Sequence, residues 1–418
     1  MKKHVWIMNH YAGSMYFDLG GRHYSFAKYL KQAGYEPVVF CANSKHDLAE
    51  TWFPNEALWH EHAADEIGVT FVFVKARTYT GNGKQRILNM VDFYRNVKKA
   101  AKEYAAKHGK PDVIYASSVH PLTLVAGIRL AKRFRVRCVC EVRDLWPESL
   151  VAYGFLKQGS PVAGALYAGE KWIYKKADRL IFTFEGGYDY ILERGWQDQI
   201  PRSKVYYINN GVDLETFQYN RDHYRVEDPD LDDPNTIKVV YAGSIRRANN
   251  MGALLDAAKK AKDPRICFLV WGDGDELPIL KKRVQDEKVK NVIFKDKVEK
   301  KYVPSIVSRA NINLIHYADQ AIDIVRFGIS LNKLFDYFAA GKPVIMDKKT
   351  SYNPIEQSCC GVVCEKSEDV LETIEELAAM PEEEYQAMCC NARRAAEEYD
   401  FKNLTRKLTD VIEGIEKK

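Results

Sequence analysis

At 418 residues the chain is too long for one hydrophobic core, so two domains of similar size are expected. With 46% hydrophobic and 28% charged residues it is neither disordered nor fibrous, and it has no run approaching the roughly 18 apolar residues of a membrane-spanning helix. The net charge of +5 conceals an asymmetry, because residues 1–210 carry 30 Lys and Arg against 20 Asp and Glu, whereas residues 211–418 carry 32 against 37. A basic first half suggests an anionic partner, and basic residues without interleaved aromatic platforms argue against nucleic acid.

The apolar run His4–Met8 is followed by Asn9 and His10 with no small-residue cleavage site, so it reads as a buried first strand rather than a signal peptide. Further strands are expected at Glu36–Cys41, Thr70–Val74, Val113–Ala116, Arg137–Val142, Arg179–Phe184 and Val205–Ile208, with a helix over Arg22–Ala33. The segment Lys84–Lys110 reads as a basic helix, with Ile87, Leu88, Val91, Tyr94 and Val97 near helical spacing. It either packs as an ordinary solvated helix or meets anionic lipid headgroups. Alternation of short apolar runs with helical patterns is the appearance of βαβ units on a parallel sheet.

The stretch Tyr219–Asn235 is acidic and poor in aliphatic residues, and it reads as a connection between domains. The alternation then resumes. Strands are expected at Ile237–Ala242, Ile266–Trp271, Val292–Lys295, Ile312–His316, Val344–Met346 and Val362–Cys364, with helices at Met251–Lys262, Leu277–Glu287, Val303–Arg309 and Leu331–Ala340 and three more to the end. The fold class is therefore α/β, with two doubly wound Rossmann-like domains facing a cleft. The expected division is an N-terminal domain over residues 1–213, a linker at 214–236 and a C-terminal domain over 237–399, with a helix near 400–418 packing back on the first domain. Nine cysteines, an odd number without paired CxxC motifs, read as reduced thiols of a cytoplasmic protein.

Three segments of the second half carry chemistry. In Tyr241–Arg247 a strand gives way to Gly243, Ser244, Arg246 and Arg247 before a helix, an arrangement suited to a diphosphate, although an ordinary turn with exposed arginines fits as well. In Trp271–Glu276, Gly272 and Asp273 follow a strand like the start of a dinucleotide fingerprint that lacks its third glycine. Asp273 and Asp275, like Asp228 and Asp230, also form an Asp-x-Asp pattern, but loops are rich in these residues and no metal site is expected. In Gly328–Val344, Ser330 is available to cap a helix ended by Gly341 and Pro343, and Asn332, Lys333 and Asp336 lie near its start. A lysine at a helix N-terminus opposes the macrodipole, and a bound anion accounts for it.

In the first half, Arg143, Asp144 and Glu148 follow a strand at the edge where open α/β sheets bind ligands. Arg143 and Asp144 form a structural ion pair on one reading. On the other, Asp144 or Glu148 orients an acceptor hydroxyl or acts as a general base. Asp18, Gly20, Gly21, Arg22 and His23 stand at the entry to the first helix, where backbone amides and Arg22 can approach a phosphate unless the glycines only shape a loop.

With these segments in order, the chain resembles glycosyltransferase family 4 of the GT-B fold, and within it the bacterial enzymes of capsule and O-antigen assembly. The resemblance rests on the glycine-containing first loop, EVRDLWPESL, NNGVD, YAGSIRRANN, WGDGDE and SLNKLFDYFAAGKPVI. It implies a retaining, metal-independent transfer of a hexose or N-acetylhexosamine from a nucleotide-diphosphate sugar to a polysaccharide or a polyprenyl-diphosphate-linked oligosaccharide. No other cofactor is implied, and the expected place is the cytoplasm or the inner face of the membrane. By the same resemblance, Arg246 or Arg247 neutralises the donor diphosphate, Asp336 holds the ribose hydroxyls, Lys297 and Val298 face the base, and His120 lies near the transferred sugar. Two positions depart from the family pattern. Gly328 stands where the first acid is expected, and Ala248, Asn249 and Asn250 stand where a lysine usually follows the Tyr-x-Gly loop. Alternatives on the same architecture are a UDP-sugar 2-epimerase and a non-catalytic nucleotide-sugar or glycan-binding subunit.

Overall fold

A computed structural model describes residues 2–118, 120–318 and 322–415. The chain divides into two compact units, Met1–Asn209 with Phe401–Lys418, and Asn210–Asp400.

The first unit is built on β1 (His4–Met8), β2 (Glu36–Ala42), β3 (Trp59–Ala63), β4 (Thr70–Val74), β5 (Val113–Ser117), β6 (Arg137–Val142), β7 (Arg179–Phe182) and β8 (Val205–Tyr207). They form one sheet in the order β3-β4-β2-β1-β5-β6-β7-β8, parallel except for β3. Strands covered on both faces are apolar throughout. Accordingly Val5, Trp6, Ile7 and Met8 of β1 are all buried, in register with Pro37–Phe40 of β2. The sequence reading misses β3, because this strand presents Trp, His, Glu, His and Ala, all of them at least partly exposed, and it pairs antiparallel at the sheet edge. The strand order reverses between β1 and β5. At such a switch point the loops leaving the carboxyl ends of the two strands diverge and leave room for a ligand.

The closing helix Phe401–Glu413 belongs to this unit. Its Phe401, Leu404, Leu408, Val411 and Ile412 recur at helical spacing and are buried, with Phe401 edge-on to Phe26 of the helix Arg22–Gln32 at 5.4 Å. Tyr35 donates to Glu413 at 2.7 Å near the end of this contact.

The second unit carries β9 (Ile237–Ala242), β10 (Ile266–Trp271), β11 (Val292–Lys295), β12 (Ile312–Ile315), β13 (Val344–Met346) and β14 (Gly361–Val363) in the order β11-β10-β9-β12-β13-β14. All pairings are parallel, and the order reverses between β9 and β12. Residues 214–236, expected as a linker, are part of this unit. The helix Leu214–His223 and the turn Pro229–Asp232 place Phe217 and Leu231 in its core. Asp228 and Asp230, one of the two Asp-x-Asp patterns, both hold the Lys295 ammonium, at 2.7 and 2.6 Å. Acidity that reads as a solvated tether is thus spent on local caps and ion pairs, with Asp228 also accepting the amides of Asp230 and Leu231.

Candidate active site

In the second unit most of the candidate donor-site residues lie where β9 and β12 part. Two glycine loops continue the pairing of β9 and β10 beyond the sheet, through Gly243 N to Trp271 O at 3.0 Å and Ile245 N to Asp273 O at 2.9 Å. The zipper leaves no room for side chains. A Cβ on Gly272, where φ is +146°, would lie 1.8 Å from the Gly243 carbonyl oxygen, and one on Gly274 would lie 2.1 Å from that of Ile245. Gly272, read from sequence as part of a donor-binding turn, is therefore required by its neighbour's backbone. Asp273 is likewise local, since its carboxylate accepts the Gly274 amide at 2.8 Å.

The helix Asn332–Ala340 points its N-terminus at the same edge. It begins one residue later than expected, with Leu331 in the capping position and no side-chain cap. Ser330 is not the cap, because its hydroxyl and carbonyl face the Asn210 backbone and side-chain amides at 3.4 and 2.7 Å. Gly341 ends the helix with φ +64°, as the sequence implies. The helix is tied to β9 by Tyr337, whose hydroxyl accepts the Ala242 amide at 3.0 Å.

Lys333 reaches from this helix to the glycine loop. Its ammonium donates to the Tyr241 hydroxyl at 2.7 Å and lies 4.0 Å from the centroid of that ring. Tyr241, itself buried, donates onward to the Ser244 carbonyl at 2.8 Å. A Cβ on Gly243 would sit 2.7 Å from the Lys333 ammonium, so the glycine makes room for the lysine. No carboxylate pairs with Lys333 among the described residues, and burial pulls its pKa down to about 7. Asp336, one turn along, does not pair with it. Burial raises the Asp336 carboxyl, and Lys300 opposes the rise.

Arg246 and Arg247 are exposed on the continuing loop, and among the described residues neither makes an ion pair. Ser244 is exposed, with its hydroxyl 3.2 Å from the Asn249 side-chain oxygen, and Asn332 is exposed at the helix start. Lys297 is exposed, whereas Val298 packs against the core. Gly328 adopts φ +114°, a region that favours glycine.

Sequence reasoning passes over His316, which leaves β12 at the switch point. Its Nδ1 lies 2.7 Å from Asp347, and Asp347 also accepts the Tyr317 amide at 2.9 Å and the Ser367 hydroxyl at 2.9 Å. The His316 Nε2 is buried without a partner among the described residues. A lone histidine and an aspartate 31 residues apart carry no spacing signal.

In the first unit the switch point between β1 and β5 brings His10 to His120, with Nδ1 to Nε2 at 2.7 Å. Both rings are almost fully buried. His120 falls to about 3, by burial and then by Arg86, and His10 falls well below 6.5 by burial and by His120 itself. Each is therefore neutral at pH 7. With one proton between them, the outer nitrogens, His10 Nε2 and His120 Nδ1, are one donor and one acceptor; among the described residues neither completes a well-formed hydrogen bond, although the Asn89 side chain interacts with His10. His120 precedes the helix Pro121–Phe134, and Ser118 and Pro121 on its two sides line a small recess with Asp144 and Trp146. Asp144 keeps an exposed edge, yet crowding raises its carboxyl while Arg143 lowers it. Among the described residues these two make no ion pair. Glu148 is instead engaged by the Tyr167 hydroxyl at 2.7 Å, and of His120, Asp144 and Glu148 only Asp144 lines the recess.

The first loop differs from expectation. Arg22 does not approach a phosphate: it is buried, with Nε 2.8 Å from Glu141 and Nη2 2.8 Å from the Ile208 carbonyl, and Nη1 donates to the Asn209 carbonyl. His23 is held between Asn9, at 2.8 Å, and Glu141, at 3.3 Å, and burial takes it to about 4. Glu141 is the hub that the sequence hides, accepting also from Ser117 at 2.6 Å and from Tyr115. Burial alone would raise its carboxyl, but Arg22 and His23 hold it well below the usual range. Gly21 caps the helix Arg22–Gln32 with φ +92°, Gly20 is half-buried beside it, and Asp18 is exposed at the end of the short helix Gly13–Asp18.

Residues 23–216 match the family described as Glycosyltransferase Family 4, and residues 236–380 match that described as Glycosyl transferases group 1. The probable glycosyltransferase WbjE of Pseudomonas aeruginosa is 26% identical over 179 residues, covering 42% of this chain and 43% of that protein. The putative colanic acid biosynthesis glycosyl transferase WcaI of Escherichia coli K12 is 23% identical over 264 residues, 61% of each chain. Both matches span less than two thirds of the relative's own length. Among solved structures, sucrose-phosphate synthase of Thermosynechococcus elongatus superposes with a TM-score of 0.71 at 17% identity over 99% of both chains. Anabaena HepE in complex with UDP-glucose gives a TM-score of 0.63 at 12% identity, over 99% of this chain and 100% of that one.

Proposed function

We propose, for a chain that belongs to the family 4-like glycosyltransferases of the GT-B fold, that it moves a hexose or N-acetylhexosamine from a nucleotide-diphosphate sugar to a polysaccharide or lipid-linked oligosaccharide, with retention of configuration. The single observation that carries the donor assignment is the Lys333 ammonium, half-buried and without a carboxylate partner among the described residues, beside the Gly243 loop and at a helix N-terminus. Such a group is costly to leave unpaired and is stabilised by an anion. Arg246 and Arg247, exposed on the same loop, add two further cations.

In this reading the diphosphate departs with the electron pair of the anomeric C–O bond, and the charge developing on its oxygens is met by Lys333, the arginines and the helix terminus. No metal is required for that step. Asp336 accepts from the ribose hydroxyls, and Lys297 and Val298 flank the base. UDP is the first nucleotide to test, because HepE is solved with UDP and with UDP-glucose.

The acceptor is assigned to the first unit. There Asp144, with its raised carboxyl, and the neutral His10–His120 pair can orient a hydroxyl and hold its proton. A lipid-linked acceptor would place the protein on the inner face of the membrane. No helix among the described residues is long and apolar enough to cross a bilayer.

Thermal-shift screening against nucleotide sugars, followed by transfer assays with EDTA present, tests the proposal. A ligand at 100 times its dissociation constant stabilises by about 2.7 kcal/mol. Activity is expected to survive EDTA. Loss restored by added Mg²⁺ would overturn metal independence, and isomerisation of the donor sugar without any acceptor would favour an epimerase.

A further inference from the structure

The helix Pro161–Lys176 has two apolar stripes. It starts cleanly, with Ser160 accepting the Ala163 amide at 3.2 Å and Pro161 at the first position. Its inner stripe, Ala163, Tyr167, Ile173 and Tyr174, is buried against its own unit. Val162, Ala165, Leu166, Gly169 and Trp172 recur at the same helical spacing, yet all five are exposed. A helix apolar all round is normally enclosed. Just before it, the turn after Glu148–Ala152 presents Tyr153 and Phe155, the latter 81% exposed.

Along this segment the exposed charge has one sign, with Asp144 and Asp178 flanking it. Between Ser149 and Ala177 stand Lys157, Lys171, Lys175 and Lys176 and a single acid, Glu170. Glu170 is buried and bonded to the Tyr174 and Tyr190 hydroxyls at 2.7 Å each, so it offers the surface no negative charge. A contiguous apolar patch on a soluble chain marks an interaction site. Aromatic and aliphatic side chains with flanking lysines, and no exposed acid between Ser149 and Ala177, match the interface of an anionic bilayer, where rings sit at headgroup depth and ammonium groups meet phosphates.

We propose that residues 153–176 are the surface by which this protein docks on an anionic lipid bilayer. The basic helix Lys84–His108 is less suited to this role. Its apolar side packs inward through Met90, Phe93 and Val97, and its exposed side beyond Ile87 is chiefly polar, with Arg95, Lys99, Lys102 and Glu103. The inference deepens the lipid-linked acceptor reading and rests on it for its purpose. Its test uses no substrate.

The experiment is flotation of the full chain with vesicles of phosphatidylcholine alone or mixed with phosphatidylglycerol. Recovery with the anionic vesicles is expected to exceed that with phosphatidylcholine by at least about tenfold. Phe155→Glu should reduce it by a similar factor. Gly169→Glu gives an independent check without disturbing the fold, because a Cβ there meets nothing within 4 Å. Three results would overturn the proposal: no flotation of the unmodified chain, undiminished flotation of both variants, or loss only in a Lys99→Glu/Lys102→Glu variant. Sedimentation equilibrium showing a dimer dispersed by Gly169→Glu, with no flotation, would assign the patch to a second copy and overturn it too. Intact flotation without transfer to any lipid-linked acceptor would instead count against the acceptor reading alone.

Discussion

Lys333 gives the sharpest quantitative test of the donor site. Unliganded, its ammonium has the Tyr241 hydroxyl but no carboxylate among the described residues, and burial brings its pKa to about 7. A bound diphosphate supplies the missing counter-charge and returns the group toward the ordinary lysine value near 10.4. The depressed pKa belongs to the free protein and the ordinary one to the complex, so binding above pH 7 must take up a proton. The cost is about 1.4 kcal/mol, a tenfold loss of affinity, for each pH unit above 7. At pH 8 roughly nine tenths of the free protein is neutral at this position, and close to one proton enters per UDP bound. Isothermal titration of UDP between pH 7 and 9, in buffers of different ionisation enthalpy, measures both quantities. The phosphate groups are already ionised in this window, with a second pKa of about 6. Lys333→Met should bind more weakly at pH 7, with little further pH dependence and no proton uptake. If Lys333→Met retained the slope and the proton uptake, another group would be titrating and Lys333 would not be the diphosphate ligand.

The neighbouring acid makes a separate prediction: Asp336→Ala should weaken UDP binding by about 10- to 100-fold, the worth of hydrogen bonds to a charged group, and unchanged affinity would contradict the ribose role. The Arg22–Glu141 pair is structural, so Glu141→Leu should strand a buried guanidinium and cost about 3–5 kcal/mol in urea unfolding. A loss under 1 kcal/mol would mean that the pair is dispensable. Glu170 behaves oppositely in pH. Burial raises it to about 8, against the tyrosine hydroxyls that lower it, so its contribution is fully present below pH 4.5 and is lost as pH rises toward 8. Glu170→Gln should flatten the decline of melting temperature between pH 5 and 8 by the equivalent of a few kcal/mol, and an unchanged pH profile would show that Glu170 is ionised in the fold.

Local sequence set the elements almost residue by residue wherever period and punctuation agreed. The strands His4–Met8, Arg137–Val142, Ile237–Ala242 and Ile266–Trp271 occur as read, because parallel strands buried on both faces must be apolar throughout. Trp59–Ala63 escaped notice because an edge strand need not be apolar. The division at Asn209 and the folding of 214–236 into the second unit were also hidden, since the acids there are used by caps and by Lys295.

The candidate site was legible only in part, for the same reason. The sequence by itself determined two doubly wound sheets, the glycine loops at their edges and a helix whose N-terminus carries Lys333 and Asp336. These are local facts of period, turn chemistry and spacing. Tertiary structure decided which charges remain available. It buried Arg22 and His23 on Glu141, set Gly272 against a carbonyl, turned Glu148 to Tyr167 and joined His10 to His120 across 110 residues. It also put Lys333 beside Tyr241 and Gly243, next to the loop whose own lysine is missing. A side chain's partner is fixed by strand order and burial, and neither is written in the residues adjacent to it.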